Sequence, residues 1–317
     1  MKKLLLLSLF LGSIYTQGIF SGVTYFDYTY DLSENAINDD GFGLKRVYFT
    51  YVETLSENIS YKFQTDIDYK SSPFNVYLKN AKVDWKTSIG KITLGMQGMN
   101  IFNVTEKNWG FRFLEKSPMD KHKFSSSADM GIGYSNTFGS YNCNFMITNG
   151  TGYKNSENDK YKKLSAQIIF GPKNLTKKDG VNIGTSLSIE PYDFSEKKWS
   201  INNWETEEGE WEETGNVSVK NKTVLSLYSG YAGNKLRTGA EFDMHRGTYD
   251  TPTPTSDISE PIMESEIMTK SIVAAYASYK LSDTFEVLAY IDLYDPWTES
   301  IDNIDTNNIN EARDSET

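Results

Sequence analysis

Thirteen stretches in which polar and apolar residues alternate run between Gly22 and Tyr294, and the gaps between them are by turns short and long. A two-residue period puts successive side chains on opposite faces of a strand. One face here carries Leu, Ile, Val, Phe, Tyr and Ala; the other carries Asn, Gln, Ser, Thr, Gly, Asp and Lys. A soluble sandwich also alternates, but its turns need not sort by parity. A membrane barrel imposes that sorting, because every second turn lies on the same side of the bilayer. The pattern predicts strands over 22–30, 42–55, 60–69, 76–87, 91–98, 127–138, 141–149, 162–171, 180–190, 222–232, 236–246, 271–281 and 285–294.

The gaps after the second, fourth, sixth, tenth and twelfth stretches are tight. They hold the Gly, Asn, Asp and Ser that hairpin turns use. The gap after the eighth, Pro172 to Asp179, is the exception, being longer and basic. After odd-numbered stretches the gaps 31–41, 99–126, 150–161, 191–221, 247–270 and 295–317 are long, and only 70–75 is short. Short turns at one end and long loops at the other describe an outer-membrane barrel with its long loops outside. Thirteen is odd, whereas a bacterial barrel closes with an even count, and the polar tail from Glu299 to Thr317 does not read as a closing strand. A truncated C-terminus, with at least one further strand to follow and three to complete sixteen, is the expectation.

Composition fits that class and excludes others. With 43 acidic and 32 basic side chains the net charge is −11, so nucleic acid is not an expected partner. Only 38% of residues are hydrophobic, too few for a helical membrane protein but sufficient where one strand face alone meets lipid. The 21 tyrosines suit a headgroup belt. The single Cys143 excludes an intrachain disulfide, and it shares apolar parity with Tyr141, Phe145 and Ile147. Lys2, Lys3 and the apolar run Leu4 to Leu11 read as a signal peptide over 1–18, cleaved within 16–22. No later segment approaches a membrane helix. The remainder, 19–317, is expected to be one transmembrane β-barrel domain, since lipid admits no other strand-built solution.

The segments Gly43–Phe49 (Gly-Leu-Lys-Arg-Val-Tyr-Phe), Asn58–Phe63 with Asp66 and Asp68, Asn80–Lys86 (Asn-Ala-Lys-Val-Asp-Trp-Lys), Gly90–Gly95, Trp109–Lys116 and Ser126–Gly131 resemble the phosphate-selective porin family. The likeness covers about 42–150. It implies an all-β, antiparallel barrel of sixteen strands in the bacterial outer membrane, commonly a homotrimer, with the third external loop folded into the lumen. The partners it implies are outer-membrane lipid and small hydrophilic solutes or ions that diffuse passively.

Placing the apolar face on lipid assigns the lumen wall. Its acids are Asp27, Asp66, Asp68, Asp84, Asp129, Glu190, Glu241, Asp243, Glu286 and Asp292, and its bases Arg46, Lys62, Lys82, Arg237 and Lys280. Ten against five predicts a wall that favours cations, without the clustered Arg and Lys of a phosphate channel. Loop 99–126 is the expected constriction, with Arg112, Glu115, Lys116, Asp120 and Lys121 projecting into the channel and Trp109, Phe111 and Phe113 anchoring it. Its bases outnumber its acids six to three with His122 charged, enough to reverse the wall's preference. The acidic run Glu205–Glu213 reads as solvated external loop.

No cofactor or metal motif is present. A barrel hydrolase needs a histidine beside a serine, and of His122 and His245 only the latter falls near candidates, Ser226 and Ser186, with no supporting motif. The competing fold is a secreted soluble β-sandwich that binds glycans or acts as an adhesin through its many Tyr and Trp residues.

Overall fold

The computed structural model describes residues 18–30, 41–69, 71–203, 208–252 and 263–296. They form one 13-stranded antiparallel sheet in which each strand pairs with its neighbours in sequence. The strands are β1 (Ile19–Thr29), β2 (Gly41–Thr54), β3 (Ile59–Asp68), β4 (Asn75–Thr87), β5 (Gly90–Gly98), β6 (Ala128–Phe138), β7 (Tyr141–Thr148), β8 (Lys163–Phe170), β9 (Gly180–Asn203), β10 (Glu208–Ala232), β11 (Leu236–Pro252), β12 (Met263–Lys280) and β13 (Glu286–Asp295). Two short helices, α1 (Thr105–Trp109) and α2 (Pro118–Lys121), lie in the segment between β5 and β6. No helix among the described residues is long and apolar enough to cross a membrane. A single sheet rules out the two-layered sandwich.

The polarity of this sheet is inverted relative to a soluble protein. Cross-strand register places Tyr61, Val83, Leu94, Ile132, Ile147, Leu164 and Ile189 opposite one another in a row over seven strands. Leu227, Phe242, Val273 and Leu293 continue the same face across β10 to β13. Ile132 and Leu293 are more than half exposed, at 54% and 59%. On the other face Gln167, Asn182, Ser186, Ser188, Ser226, Asp243 and Ser278 are buried. Apolar surface of this extent on the outside is stable only against lipid.

The sheet curls around the segment 99–126. That one segment touches β7 through Asn144, β8 through Gln167, β9 through Asn182 and Ser186, β12 through Tyr276 and β13 through Asp292. Its Glu106 and Arg112 border a cavity whose far wall is β2 to β6. Contacts reaching so many consecutive strands require a wall that wraps around its own loop. β1 and β13 are the sheet's two edges.

Strand positions agree with the alternation to within a few residues from β1 to β8. From β9 to β12 the strands overrun the expected loops 191–221 and 247–270, pairing as ribbons out to Asn203–Glu208 and Pro252–Met263. Beyond the apolar belt there is no lipid face to enforce alternation, so the ribbons carry no two-residue signal. Their backbone register sets Lys198 opposite Glu212 and Lys197 opposite Glu213, within the expected loop 191–221. Tyr192 stitches the two ribbons, donating to the Thr248 carbonyl at 3.0 Å and accepting from the Thr248 amide at 3.1 Å. Residues 1–17 of the expected signal, Glu205–Glu207 of the acidic run and the tail beyond Pro296 lie outside the described residues.

Ile132→Arg should destabilise the barrel by about 2–4 kcal/mol, whereas Ser135→Arg on the inner face of the same strand should cost little. Urea unfolding in lipid vesicles checks this, and equal costs would contradict the assignment of faces.

Candidate functional site: the loop-constricted lumen

The segment 99–126 is built to sit inside the sheet. Ile101, Phe102, Met119 and Phe124 are buried and pack on Val224 of β10 and on Ile272 and Ala274 of β12, with Tyr290 and Tyr294 of β13 at the margin. Val104 packs on Ile169 and Tyr228. Ile169, Val224, Ile272 and Ala274 all occupy inward positions, where the alternation otherwise places polar groups. These parity violations mark the docking patch, and sequence reading passed over them.

Hydrogen bonds fix the backbone of the segment. Gln167 donates to the Asn100 carbonyl at 2.6 Å and Ser186 to the Ile101 carbonyl at 2.8 Å. The amides of Asn108 and Asn182 exchange two bonds at 2.9 and 2.8 Å. Helix α1 ends at Gly110, whose φ of 69° suits glycine. Trp109 then packs edge-on against Tyr276 and Phe111 and tilted against Tyr290, and its Nε1–H donates to the Glu115 carbonyl at 2.9 Å. Helix α2 starts on Pro118, which presets φ at a position that needs no amide donor. It turns the chain back to β13, where Lys121 and His122 bind Asp292 at 3.0 and 3.1 Å and the His122 ring stacks on Tyr294 at 4.1 Å.

Between this segment and β2 to β6 a cavity of about 430 Å³ remains. Seven cations line it: Arg46, Lys62, Lys79, Lys82, Lys91, Lys107 and Arg112. Two carboxylates do, Glu106 and Asp120, and both pair with Arg112, at 3.7 and 3.2 Å. Nearby, Asp66 approaches Arg46 at 3.6 Å and also accepts from the Tyr77 hydroxyl at 2.9 Å. Asp84 takes Lys82 at 2.8 Å and Lys91 at 3.4 Å. Lys62 and Lys82 stand directly opposite on β3 and β4, a like-charge pairing that costs stability. Lys79 donates to Ser127 and lies over the Tyr153 ring at 3.6 Å.

The charge lining this cavity differs in sign from the count that parity gives for the whole wall. Parity counts all inward charges equally, but the loop divides them. Asp243 is wholly buried on the inner face, opposite Ser226 in the ladder. Beside it, Glu241 lines a small cavity closed by Thr105 and Trp109. Asp129 is buried and accepts the Gly150 and Met130 amides at 2.6 and 2.8 Å. Asp292 is held by the loop, Glu190 by Lys163 at 3.1 Å, and Asp68 faces Lys154 at 3.8 Å. Arg237 is likewise taken up, its guanidinium 4.3 Å over the Phe111 ring.

Of the five loop residues expected in the channel, Arg112 and Asp120 line the cavity. Glu115, Lys116 and Lys121 do not, and Lys121 instead pairs with Asp292 of β13. Phe111 anchors the loop as expected, but Phe113 is 61% exposed. Sequence reading missed Lys79, which a bulge opposite Gln64 and Thr65 turns inward beside Asn80, and it missed the lining role of Lys91.

No family model matches the chain, and no curated protein matches it in sequence. Solved structures do. In-vitro folded OmpT, an outer membrane protein of Vibrio cholerae, superposes with a TM-score of 0.54 at 10% identity, over 88% of this chain and 76% of that one. An anion-selective porin from Comamonas acidovorans superposes with a TM-score of 0.53 at 12% identity, over 88% and 79%. The chain has the porin fold. At such identities the likeness is one of architecture, and the phosphate-selective type implied by the sequence resemblance is a finer statement than it carries.

Glu106 adds a pH dependence. Burial raises its carboxyl above the usual range, opposed by Arg112. On acidification it therefore takes up its proton earlier than an ordinary glutamate, and the cavity loses one of its two carboxylates. The anion-to-cation permeability ratio should rise as pH falls toward the carboxylate range, and Glu106→Gln should flatten that rise. Reversal potentials recorded across the pH range check both.

Proposed function

We propose that this chain is a porin of the bacterial outer membrane whose water-filled channel passes small hydrophilic solutes by passive diffusion, with a preference for anions. The carrying observation is the excess of seven cations over two carboxylates around the space that the loop leaves open. In a confined, low-dielectric passage such an excess raises the local anion concentration and admits anions ahead of cations. Anion selectivity, the property named for the Comamonas porin, comes to this chain through its own cavity residues. The family resemblance makes inorganic phosphate the first solute to try, and a homotrimer the assembly to expect.

A pore is preferred to a hydrolase on the placement of the two histidines. His122 is committed to Asp292 and Tyr294, and His245 packs by Phe124 at 5.5 Å, opposite Val224 in the ladder. Ser226 stands opposite Asp243 instead.

The test is the reversal potential of single channels in planar bilayers under a potassium chloride gradient. The unaltered protein should show anion preference, and Lys62→Glu with Lys82→Glu should lower the anion-to-cation permeability ratio by about threefold or more. Cation preference in the unaltered protein would falsify the assignment. Arg112→Glu should act in the same direction, whereas Lys116→Glu, outside the cavity lining, should do little. Retention in outer membranes after carbonate washing checks location, and a crosslinked ladder ending at three copies checks assembly.

A further inference from the structure

The basic turn Pro172–Asp179 follows β8 and so enters from the end of the barrel opposite to loop 99–126, which follows β5. The two meet inside. Leu175 is 3% exposed, although it sits in a turn, where an apolar side chain would ordinarily lie in water. It rests on Gly230 of β10: a Cβ at 230 would stand 2.7 Å from Leu175 Cδ1 and 2.9 Å from Asn108 Nδ2. A Cβ at Gly110 would stand 2.6 Å from Thr176 Cγ2. Fully buried Asn182 clasps both segments, donating at 2.8 Å to the Pro172 carbonyl and at 2.8 Å to Asn108 Oδ1.

The turn is also ordered from within. Asn174 Oδ1 accepts the Thr176 amide at 3.0 Å and its hydroxyl at 2.6 Å, while the Asn174 carbonyl accepts the amides of Lys177 and Lys178 at 3.3 and 3.2 Å. This scaffold leaves Lys173 and Lys177 exposed, within electrostatic reach of Lys107 on α1. Lys173 is in turn within reach of Lys91, so the cations of the turn are continuous with those of the cavity.

We propose that the Pro172–Asp179 turn is a second constricting element, seated by Leu175 beneath α1, whose Lys173 and Lys177 extend the cationic lining to the outlet opposite the long loops and set anion preference there. The proposal rests on the anion-preferring channel proposed above, and its test separates the two. In the full-length protein inserted with known orientation, Lys173→Glu with Lys177→Glu should lower the anion-to-cation permeability ratio by about twofold and make the current unequal at opposite polarities. The neutral pair Lys173→Gln and Lys177→Gln should move both readings the same way by less. Leu175→Asp should free the turn and give a larger, noisier open-channel current, which Leu175→Met should not. Shifted gel mobility on boiling verifies that each variant is folded. If the unaltered channel prefers anions and the paired glutamates leave ratio and polarity unchanged, the turn has no such role and the channel assignment stands. If the unaltered channel prefers cations, the channel assignment itself fails.

Discussion

The docking of one loop onto one patch of wall organises this molecule. A barrel of polar interior would leave the long segment after β5 free to lie in water. Here Ile101, Phe102, Met119 and Phe124 have apolar partners inside the lumen, because Val224, Ile272 and Ala274 interrupt the polar inner face. Burying a large apolar side chain is worth about 1.5–3 kcal/mol. Several such contacts offset the entropy of ordering a loop of this length. The aromatic group of Trp109, Phe111, Tyr276 and Tyr290 then fixes where the docked segment ends.

Once that segment is in place, the lumen becomes electrically lopsided. The loop covers Glu241 of β11 and takes Asp292 of β13 as its own anchor, while the lysines and arginines of β2 to β5 line the cavity, three of them paired with Asp66 or Asp84. Lys62 opposite Lys82 is a local cost that a structure selected for stability alone would avoid. Asp84, 2.8 Å from Lys82, offsets part of that cost. The protein is strongly acidic as a whole, yet its narrow part is basic. Net charge describes the solvent-facing molecule, whereas selectivity depends on the few groups within a Debye length (about 8 Å at physiological ionic strength) of the solute.

How far sequence reading reached follows from which forces are local. Strand parity is local: lipid on one side and water on the other impress a two-residue period on each strand separately. β1 to β8 were therefore legible almost to the residue. The ribbons of β9 to β12 were not, because beyond the apolar belt no lipid face imposes the two-residue period. The inward turn of Lys79 was hidden for a related reason. A bulge is a register event between two strands, and neither strand records it alone.

The sequence by itself determined that this chain must form an all-β wall with an apolar outside and a polar inside, and that the longest early loop had the aromatic residues to anchor itself. Both follow from the periodicity and composition of single segments. Only the tertiary structure decided the sign of the charge that lines the cavity. That sign depends on which inward charges the loop covers, which it pairs, and which it leaves facing the passage. These are outcomes of contacts between residues tens to more than a hundred positions apart, such as Lys121 with Asp292 and Asn108 with Asn182.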